Sequence, residues 1–243
     1  MKFAKTLLAL LLALALITAL AVPAFAAGVE GPTLWQKVQL KLAELWLWVL
    51  KLFGYRPPEI ILYKPVIYLY PEQPMGVGVS LQTRGAHLVE SIPAYGDGWR
   101  VLAQPGGTLT DLAGGGDYPY LFWEAALDTP WPRPTEGFVV ARDDLAGFLN
   151  EKLHYLGLND AEADEFIGFW LPQLAVNEYT LIHFAGEDYA ERFPLEITPA
   201  PDSLLRVFMV ARAAKAGQRA VPQALVPFER SGFAVIEWGG MIL

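Results

Sequence analysis

The sequence predicts an α+β fold, in which a mainly antiparallel sheet or sandwich is covered by a two-helix hairpin and preceded by a separate amphipathic helix. Two observations predict it. Strand-like segments lie on both sides of one helical stretch, residues 143–175, whereas a parallel sheet would need strands and helices in alternation. The helical stretch repeats apolar residues at helical spacing, so it must bury one face against the sheet.

The first 26 residues have the composition of a secretory signal peptide. Lys2 and Lys5 precede an apolar run at residues 7–22, and Ala24 and Ala26 form a small-x-small cleavage site. We therefore expect a secreted or extracytoplasmic protein, either free or associated with the membrane. The chain has no cysteine, so its core must be stable without disulfides.

Residues 27–58 predict an amphipathic helix and a linker. Within residues 32–53, lysines and one glutamate fall along one stripe, while Leu, Val, Trp and Phe cover the rest. Such a helix can lie on a membrane surface, contact another protein, or dock on the main domain, and its periodicity does not separate these alternatives. Residues 54–58 (GYRPP) end the helix and mark the boundary of a single domain, residues 59–243.

Charge is concentrated in the main domain. Residues 59–243 carry 12 basic and 24 acidic side chains, a net charge of −12. An acidic domain without a basic run repels phosphate backbones, so we expect no nucleic-acid partner.

From residue 59 onward the pattern changes to short strands. Residues 60–70 are apolar on both faces, as in a buried strand, and Pro65 marks an edge, a bulge or a break. Val77, Val79 and Leu81 alternate with small or polar residues, as in a half-buried strand. Further strand-like segments lie at residues 98–103, 108–112, 118–127, 138–141, 179–184, 195–198, 204–212 and 233–238, with a short helix at residues 187–193.

The hairpin at residues 143–175 contains its own start and stop signals. Gly157 fits the left-handed position that follows a helix end. Asn159 and Glu162 have the spacing of a capping box that begins the second helix. Pro172 should kink or end that helix.

Six segments together resemble a family of exported bacterial domains, of the Firmicutes type, that has no known activity. They are KPVIYLYPE at residues 64–72, GWRVLA at 98–103, YLFWE at 120–124, EFIGFWLP at 165–172, PDSLLRVFM at 201–209 and GFAVIEWGG at 232–240. The resemblance implies a single domain outside the cytoplasm. It implies no catalytic residue, ligand or cofactor.

Three charged residues, Glu124, Arg206 and Glu237, interrupt otherwise apolar strands. Because buried charges are seldom left unpaired, one interpretation is a structural bridge between Arg206 and a carboxylate. The other is a catalytic cleft with Glu124 and Glu237 as paired acid and base, Arg206 beside them, and Trp123 and Trp238 at its sides. Glycoside hydrolysis would require both carboxylates in one open cleft, about 5–10 Å apart.

Trp131 lies in a proline-rich loop, residues 128–137, and is the tryptophan that we expect to be exposed. A rigid loop that presents an aromatic ring can stack it on a sugar or a peptide. Trp131 is therefore our candidate ligand-binding residue.

The sequence lacks the motifs of several other chemistries. His87, His154 and His183 are far apart and match no zinc pattern, and no nucleotide-binding motif is present, so we expect no metal and no cofactor. The sequence favours an exported cell-envelope or extracellular binding or interaction module of unknown ligand. A glycan or a cell-wall component is the candidate ligand, and a membrane surface or another protein is the candidate partner of residues 32–53. The alternative is a carbohydrate-active hydrolase that uses Glu124 and Glu237.

Overall fold

The computed structural model describes residues 60–243 together with Val38, Lys41, Leu42 and Leu45, which are helical and exposed. The chain divides into two units, residues 1–58 and residues 59–243. The predicted signal peptide, the remainder of the predicted amphipathic helix and the predicted linker at residues 54–58 lie outside the described residues. Within the described residues, no helix is both long and apolar enough to cross a membrane.

Residues 60–243 form 12 strands and three α-helices. The first eight strands are β1 (Ile61–Tyr70), β2 (Met75–Leu81), β3 (Ala86–Ile92), β4 (Trp99–Ala103), β5 (Leu109–Asp111), β6 (Asp117–Tyr118), β7 (Leu121–Leu127) and β8 (Phe138–Ala141). A short 3-10 turn at Arg142–Asp144 leads into α1 (Leu145–Leu156) and α2 (Asp160–Leu174). The remaining elements are β9 (Tyr179–Phe184), α3 (Gly186–Arg192), β10 (Leu195–Thr198), β11 (Ser203–Ala214) and β12 (Ala234–Ile242).

The strands form two sheets, which confirms the predicted α+β class. One sheet has seven strands in the order β3-β7-β1-β12-β11-β9-β8, and the other has five in the order β10-β2-β4-β5-β6. Every strand pair is antiparallel except β11 with β12, which is parallel. A parallel neighbour needs a long crossover, and the chain between β11 and β12 supplies it with residues 215–233.

The domain has three layers, because each face of the seven-stranded sheet is covered. One face packs on the five-stranded sheet and the other on the helical hairpin. Along β12, Val235 contributes to the core between the sheets, whereas Ile236 and Trp238 contribute to the core beneath the helices. Adjacent residues thus enter different cores, as the two-residue period of a strand requires.

The helical hairpin follows its sequence signals closely. Gly157 ends α1 with φ of 107°, and Asn159 and Glu162 form the predicted capping box at the start of α2. Pro172 lies inside the last turn of α2, which ends two residues later. A proline so close to the end removes one backbone hydrogen bond without interrupting the packed face of the helix.

Strand β1 contains a bulge at the predicted proline. The pairing register shifts between Tyr63 and Val66, and Lys64 is the one non-glycine residue with positive φ (52°) among those that the structure describes. Opposite the bulge, a Cβ atom added to Gly239 would lie 2.9 Å from the Cα atom of Pro65. The absence of a side chain at Gly239 therefore allows the bulge to lie against β12.

Two strand predictions differ from the structure. Residues 118–127 were predicted as one strand, but they divide at Pro119 into β6 and β7, which belong to different sheets. Proline has no N–H to donate to a sheet, so it separates the two segments. Strand β3 was not predicted, because it is an edge strand with mostly exposed or half-buried residues and lacks a clear apolar alternation.

Candidate functional site

Arg206 and Glu237 form an ion pair inside the core between the two sheets. Arg206 Nε lies 2.5 Å from Glu237 Oε2, and Glu237 is 0% exposed. The other carboxylate oxygen accepts hydrogen bonds from Trp123 Nε1 (3.2 Å) and from the Tyr189 hydroxyl (3.0 Å). Arg206 Nη1 donates to the carbonyl of Phe193 (2.8 Å). Glu237 is thus the carboxylate partner that the sequence predicts for Arg206, in a structural arrangement.

Burial and pairing hold this cluster in a defined ionisation state. Burial raises the pKa of Tyr189 well above its usual value, so its hydroxyl stays neutral and donates a hydrogen bond. Burial alone would lower the pKa of Arg206, but the charge of Glu237 outweighs it and raises the pKa. The guanidinium carbon also lies 4.5 Å from the centre of the Tyr189 ring. A cation held between a carboxylate and an aromatic face is a stable framework element.

Glu124 lies on the opposite face of the sheet from Glu237. Trp123 enters the core between the sheets, so the next residue, Glu124, points to the helical side, where it accepts a hydrogen bond from the backbone N–H of Lys64 (3.2 Å). Glu237, paired across from Ile67, points to the sandwich side. The sheet itself separates the two carboxylates. They do not share one open cleft, which paired acid–base catalysis requires.

On the helical side, Lys64 joins β1 to α2. Its Nζ donates to Glu165 Oε1 (2.9 Å), and the Tyr68 hydroxyl donates to Glu165 Oε2 (2.6 Å). The side chains of Lys64 and Glu165 are 18% and 33% exposed. Three aromatic rings have their centres 5.1–6.0 Å from the ammonium nitrogen of Lys64: those of Trp238, Phe169 and Tyr120.

The two carboxylates that contact Lys64 have pKa values shifted in opposite directions. Burial alone would raise the pKa of Glu165, but hydrogen bonds from Tyr68 and Lys64 lower it overall. Burial raises the pKa of Glu124, and the nearby charge of Glu90 adds to the effect. Four of the six segments of the resemblance contribute residues to this Lys64 cluster, namely Lys64 and Tyr68, Glu124, Glu165, and Trp238.

Trp131 is buried, and the expectation that it is exposed is wrong. It is 6% exposed, and its ring centre lies 5.6 Å from that of Phe208 in the core between the sheets. Arg192 lies over the other side of the ring and donates hydrogen bonds to the carbonyls of Thr129 and Pro130. The loop is therefore held against the sandwich, so that the indole fills the core and does not present a free stacking face.

A groove lies where β9 ends beside β11. Strand β9 pairs with β11 only from Met209, opposite Phe184, onward. The first half of β11, Ser203–Phe208, has β12 on one side and no strand on the other within the described residues. A cavity of about 510 Å³ borders this free edge, between residues 185–188 and residues 223–226. We call this cavity the β11 groove.

Two buried nitrogen atoms of residues that line the β11 groove have no hydrogen-bond partner among the described residues: Arg206 Nη2 and His183 Nδ1. The Arg206 side chain is 8% exposed, and its other two nitrogens are occupied by Glu237 and Phe193. Leaving a buried donor without an acceptor costs about 1–3 kcal/mol. Arg206 thus keeps one hydrogen-bond donor that the protein framework does not use.

The other groove residues are apolar or acidic. The apolar ones are Leu156, Leu205, Val207, Leu225 and Val226, and the acidic ones are Glu136, Glu187 and Asp188. Burial lowers the pKa of His183, although Glu136 and Asp188 oppose the shift, so the imidazole is mainly neutral at pH 7. No group of three or more potential metal-binding side chains is present among the residues that the structure describes.

Residues 223–226 are held in place by a side chain that imitates strand pairing. The Gln223 amide accepts from the Phe184 N–H (2.9 Å) and donates to the Phe184 carbonyl (2.7 Å). Arg230 fixes the far end of the same segment through its contacts with the buried Glu162 and with the Gly157 carbonyl. The sequence analysis identified Arg206 but missed the other groove residues, because the groove arises from the early end of β9, which no local pattern indicates.

No known protein family, curated protein or solved structure matches this chain. The resemblance to exported bacterial domains therefore stays a prediction.

Proposed function

We propose that residues 59–243 form an exported binding module at the cell envelope or outside the cell, and that its ligand occupies the β11 groove. The observation that carries the proposal is a cavity along the free edge of β11, lined by Arg206, whose buried Nη2 atom has no hydrogen-bond partner among the described residues. A cavity of about 510 Å³ lies within the range of about 300–1,000 Å³ that ligand sites occupy.

The geometry favours binding over hydrolysis. Glu237 is sealed against Arg206, and Glu124 is on the other face of the sheet, so neither can protonate a leaving group while the other attacks. The groove combines apolar residues, acidic residues and a fixed cationic side chain. Such groups can orient a bound ligand, which does not require a nucleophile.

The segment before the domain supports a location at the envelope. Residues 1–26 have the composition of a signal peptide, and residues 32–53 combine lysine with tryptophan and leucine. In this proposal the segment holds the module at a membrane surface or on a partner protein. A peptide of residues 27–58 should bind anionic vesicles more weakly as salt rises, because lysines contribute through screened attraction. Tryptophan fluorescence that does not change with lipid would contradict the membrane role.

The groove can be tested with a blocking variant and a matched control. Ala224 is exposed and lines the groove, whereas Ala216 is exposed in the same loop and does not line it. The purified protein and the variants Ala224→Trp and Ala216→Trp should be screened against a glycan array, peptidoglycan fragments and a peptide array.

A ligand that binds the wild type and Ala216→Trp, but binds Ala224→Trp at least tenfold more weakly, would support the proposal. Ligands that bind all three proteins equally would place binding elsewhere. Turnover of a glycan substrate by the wild type would contradict a purely binding role.

A further inference from the structure

We infer that the ligand of the β11 groove is an extended peptide segment with alternating apolar and basic residues, which pairs with the first half of β11 as an added strand. The inference rests on the proposed function, since it names the ligand class of the same groove.

On the side of β11 away from β12, the Phe208 carbonyl is hydrogen-bonded to Ala185, and the backbone groups of Arg206 face the same side. Successive residues of a strand direct their N–H and C=O groups to opposite sides. The Phe208 carbonyl accepts from the Ala185 N–H (2.8 Å), so it points away from β12, and Arg206, two residues earlier, points the same way. Gly186 lies beside the Arg206 carbonyl, and a Cβ atom added to it would lie 3.7 Å from that oxygen, in van der Waals contact.

The groove continues the line of β9. Strand β9 occupies the position next to β11 as far as Phe184, and there the chain leaves the sheet for α3. Beyond that point the groove separates β11 from residues 223–226. An added strand would therefore enter a position that the sheet already defines. Peptides are commonly recognised in this way, with main-chain hydrogen bonds for affinity and alternate side-chain pockets for specificity.

The residues that line the groove belong to different faces of the sheet. This arrangement predicts which side chains alternate along the ligand. Leu205 and Val207 belong to the core on the helical side, whereas α3 packs through Tyr189 into the core between the sheets and carries Glu187 and Asp188 beside the groove. Side chains of an added strand alternate between these two faces. Apolar side chains would meet Leu205 and Val207, and basic side chains would meet Glu187 and Asp188.

Charge complementarity determines whether the ligand should carry positive or negative charge. The guanidinium of Arg206 is already neutralised by Glu237, while Glu136, Glu187 and Asp188 leave the groove wall acidic. The domain as a whole carries a net charge of −12. An acidic peptide would be repelled, whereas lysine or arginine side chains would be attracted. A backbone carbonyl of the same peptide can accept from Arg206 Nη2.

The test uses pools of acetylated, amidated hexapeptides in which Val, Ile, Leu or Phe alternates with Lys or Arg, in both registers. Matched pools carry Asp or Glu in place of the basic residues. Fluorescence anisotropy should show binding of the basic pools at least tenfold tighter than that of the acidic pools. The binding should weaken with salt and be lost in Ala224→Trp but not in Ala216→Trp.

Two further measurements separate strand pairing from simple charge attraction. N-methylation of every second amide in the best basic peptide should cost at least tenfold in one of the two registers and much less in the other, because alternate amides face β11. Bound peptide should also slow hydrogen exchange at the Arg206 and Phe208 amides. Glu187→Gln with Asp188→Asn should weaken the preference for basic peptides, whereas Glu191→Gln, an exposed acidic residue of α3 outside the groove, should not.

The outcomes distinguish the two proposals. Suppose that a glycan or another probe binds, that Ala224→Trp blocks this binding, and that no peptide pool binds. The groove is then a binding site and the peptide inference is wrong. If peptides bind Ala224→Trp as well as the wild type, or if no probe binds at all, both proposals are wrong. If both N-methylated registers bind equally, strand addition is overturned.

Discussion

The two faces of the seven-stranded sheet hold their charges in different ways. On the sandwich face, Arg206 and Glu237 are sealed in the core, with side chains 8% and 0% exposed. On the helical face, Lys64 and Glu165 are 18% and 33% exposed and lie among aromatic rings. In the sealed pair, burial alone would lower the pKa of Arg206, but the charge of Glu237 raises it. The half-open pair depends on hydrogen bonds that solvent can replace.

The comparison teaches that a charge on an apolar strand does not by itself indicate a functional residue. Lys64, Arg206 and Glu237 each interrupt an apolar strand in the sequence, whereas Glu165 lies on α2. What matters is whether a polar side-chain atom still lacks a hydrogen-bond partner within the protein. Glu237 has partners on both oxygens, whereas Arg206 has one nitrogen left over at the β11 groove. One side chain can therefore stabilise the core through some of its polar atoms and offer another polar atom to a ligand.

The largest expected effect on the free energy of unfolding comes from removing Arg206 from its buried pair with Glu237. Arg206→Ala should lower the free energy of unfolding by about 3–5 kcal/mol, because Glu237 would remain buried without its cation. The double variant Arg206→Met with Glu237→Leu should be more stable than Arg206→Ala, since it removes both charges. Urea unfolding of the three proteins would measure this. A loss below about 1 kcal/mol for Arg206→Ala would show that the pair is not sealed.

The next effect tests how tightly the Lys64 bulge is held against β12. Gly239→Ala should cost about 1–3 kcal/mol, because the new methyl group would lie 2.9 Å from the backbone of Pro65. Gly76 is a matched control, since a Cβ atom there would have no heavy atom within 4 Å. Thermal unfolding should show a clear drop in Tm for Gly239→Ala and little change for Gly76→Ala. Equal changes would indicate that the bulge can move.

A smaller effect separates backbone strain from charge at Lys64. Lys64→Ala and Lys64→Gly both lose the bridge to Glu165, but only glycine is relaxed at φ of 52°. We therefore expect Lys64→Gly to be more stable than Lys64→Ala by about 1 kcal/mol, the reverse of the usual order in a strand. Denaturant unfolding of the pair would measure the difference. If the alanine variant is the more stable one, the left-handed conformation at Lys64 is not retained.

The smallest effect concerns the pH dependence of the helical face. The pKa of Glu165 is lowered on folding, so its stabilising contribution is present above about pH 4.5 and is lost as the pH falls through the lowered value. The pKa of Glu124 is raised, so its ionised form opposes folding at pH 7, and this opposition disappears as the pH falls through the raised pKa. Glu165→Gln should thus destabilise the protein at pH 7 and Glu124→Gln should not, and the difference should shrink as the pH falls through the lowered pKa of Glu165. A difference that persists in acid would contradict the two shifts.

Local patterns predicted much of the fold. Strands β8, β9 and β10 and the helical hairpin follow alternation, periodicity and capping, which depend only on neighbouring residues. The pairing of Arg206 with a carboxylate was also predictable, because a buried cation needs a partner. Long-range facts were not predictable. The face on which Glu124 lies depends on strand register, and the burial of Trp131 depends on Arg192, a residue 61 positions later in the chain.

The position of β12 has a consequence for the order in which the domain can form. This strand lies between β1 and β11, in the middle of the seven-stranded sheet, although its residues follow those of every other strand. The earlier strands β3, β7 and β1 on one side, and β11, β9 and β8 on the other, are joined only through it. The two halves can each pair locally, but the central contacts must wait for residues 234–242, and long-range pairing of this kind slows folding. The seven-stranded sheet therefore cannot be completed before residues 234–242 have been synthesised.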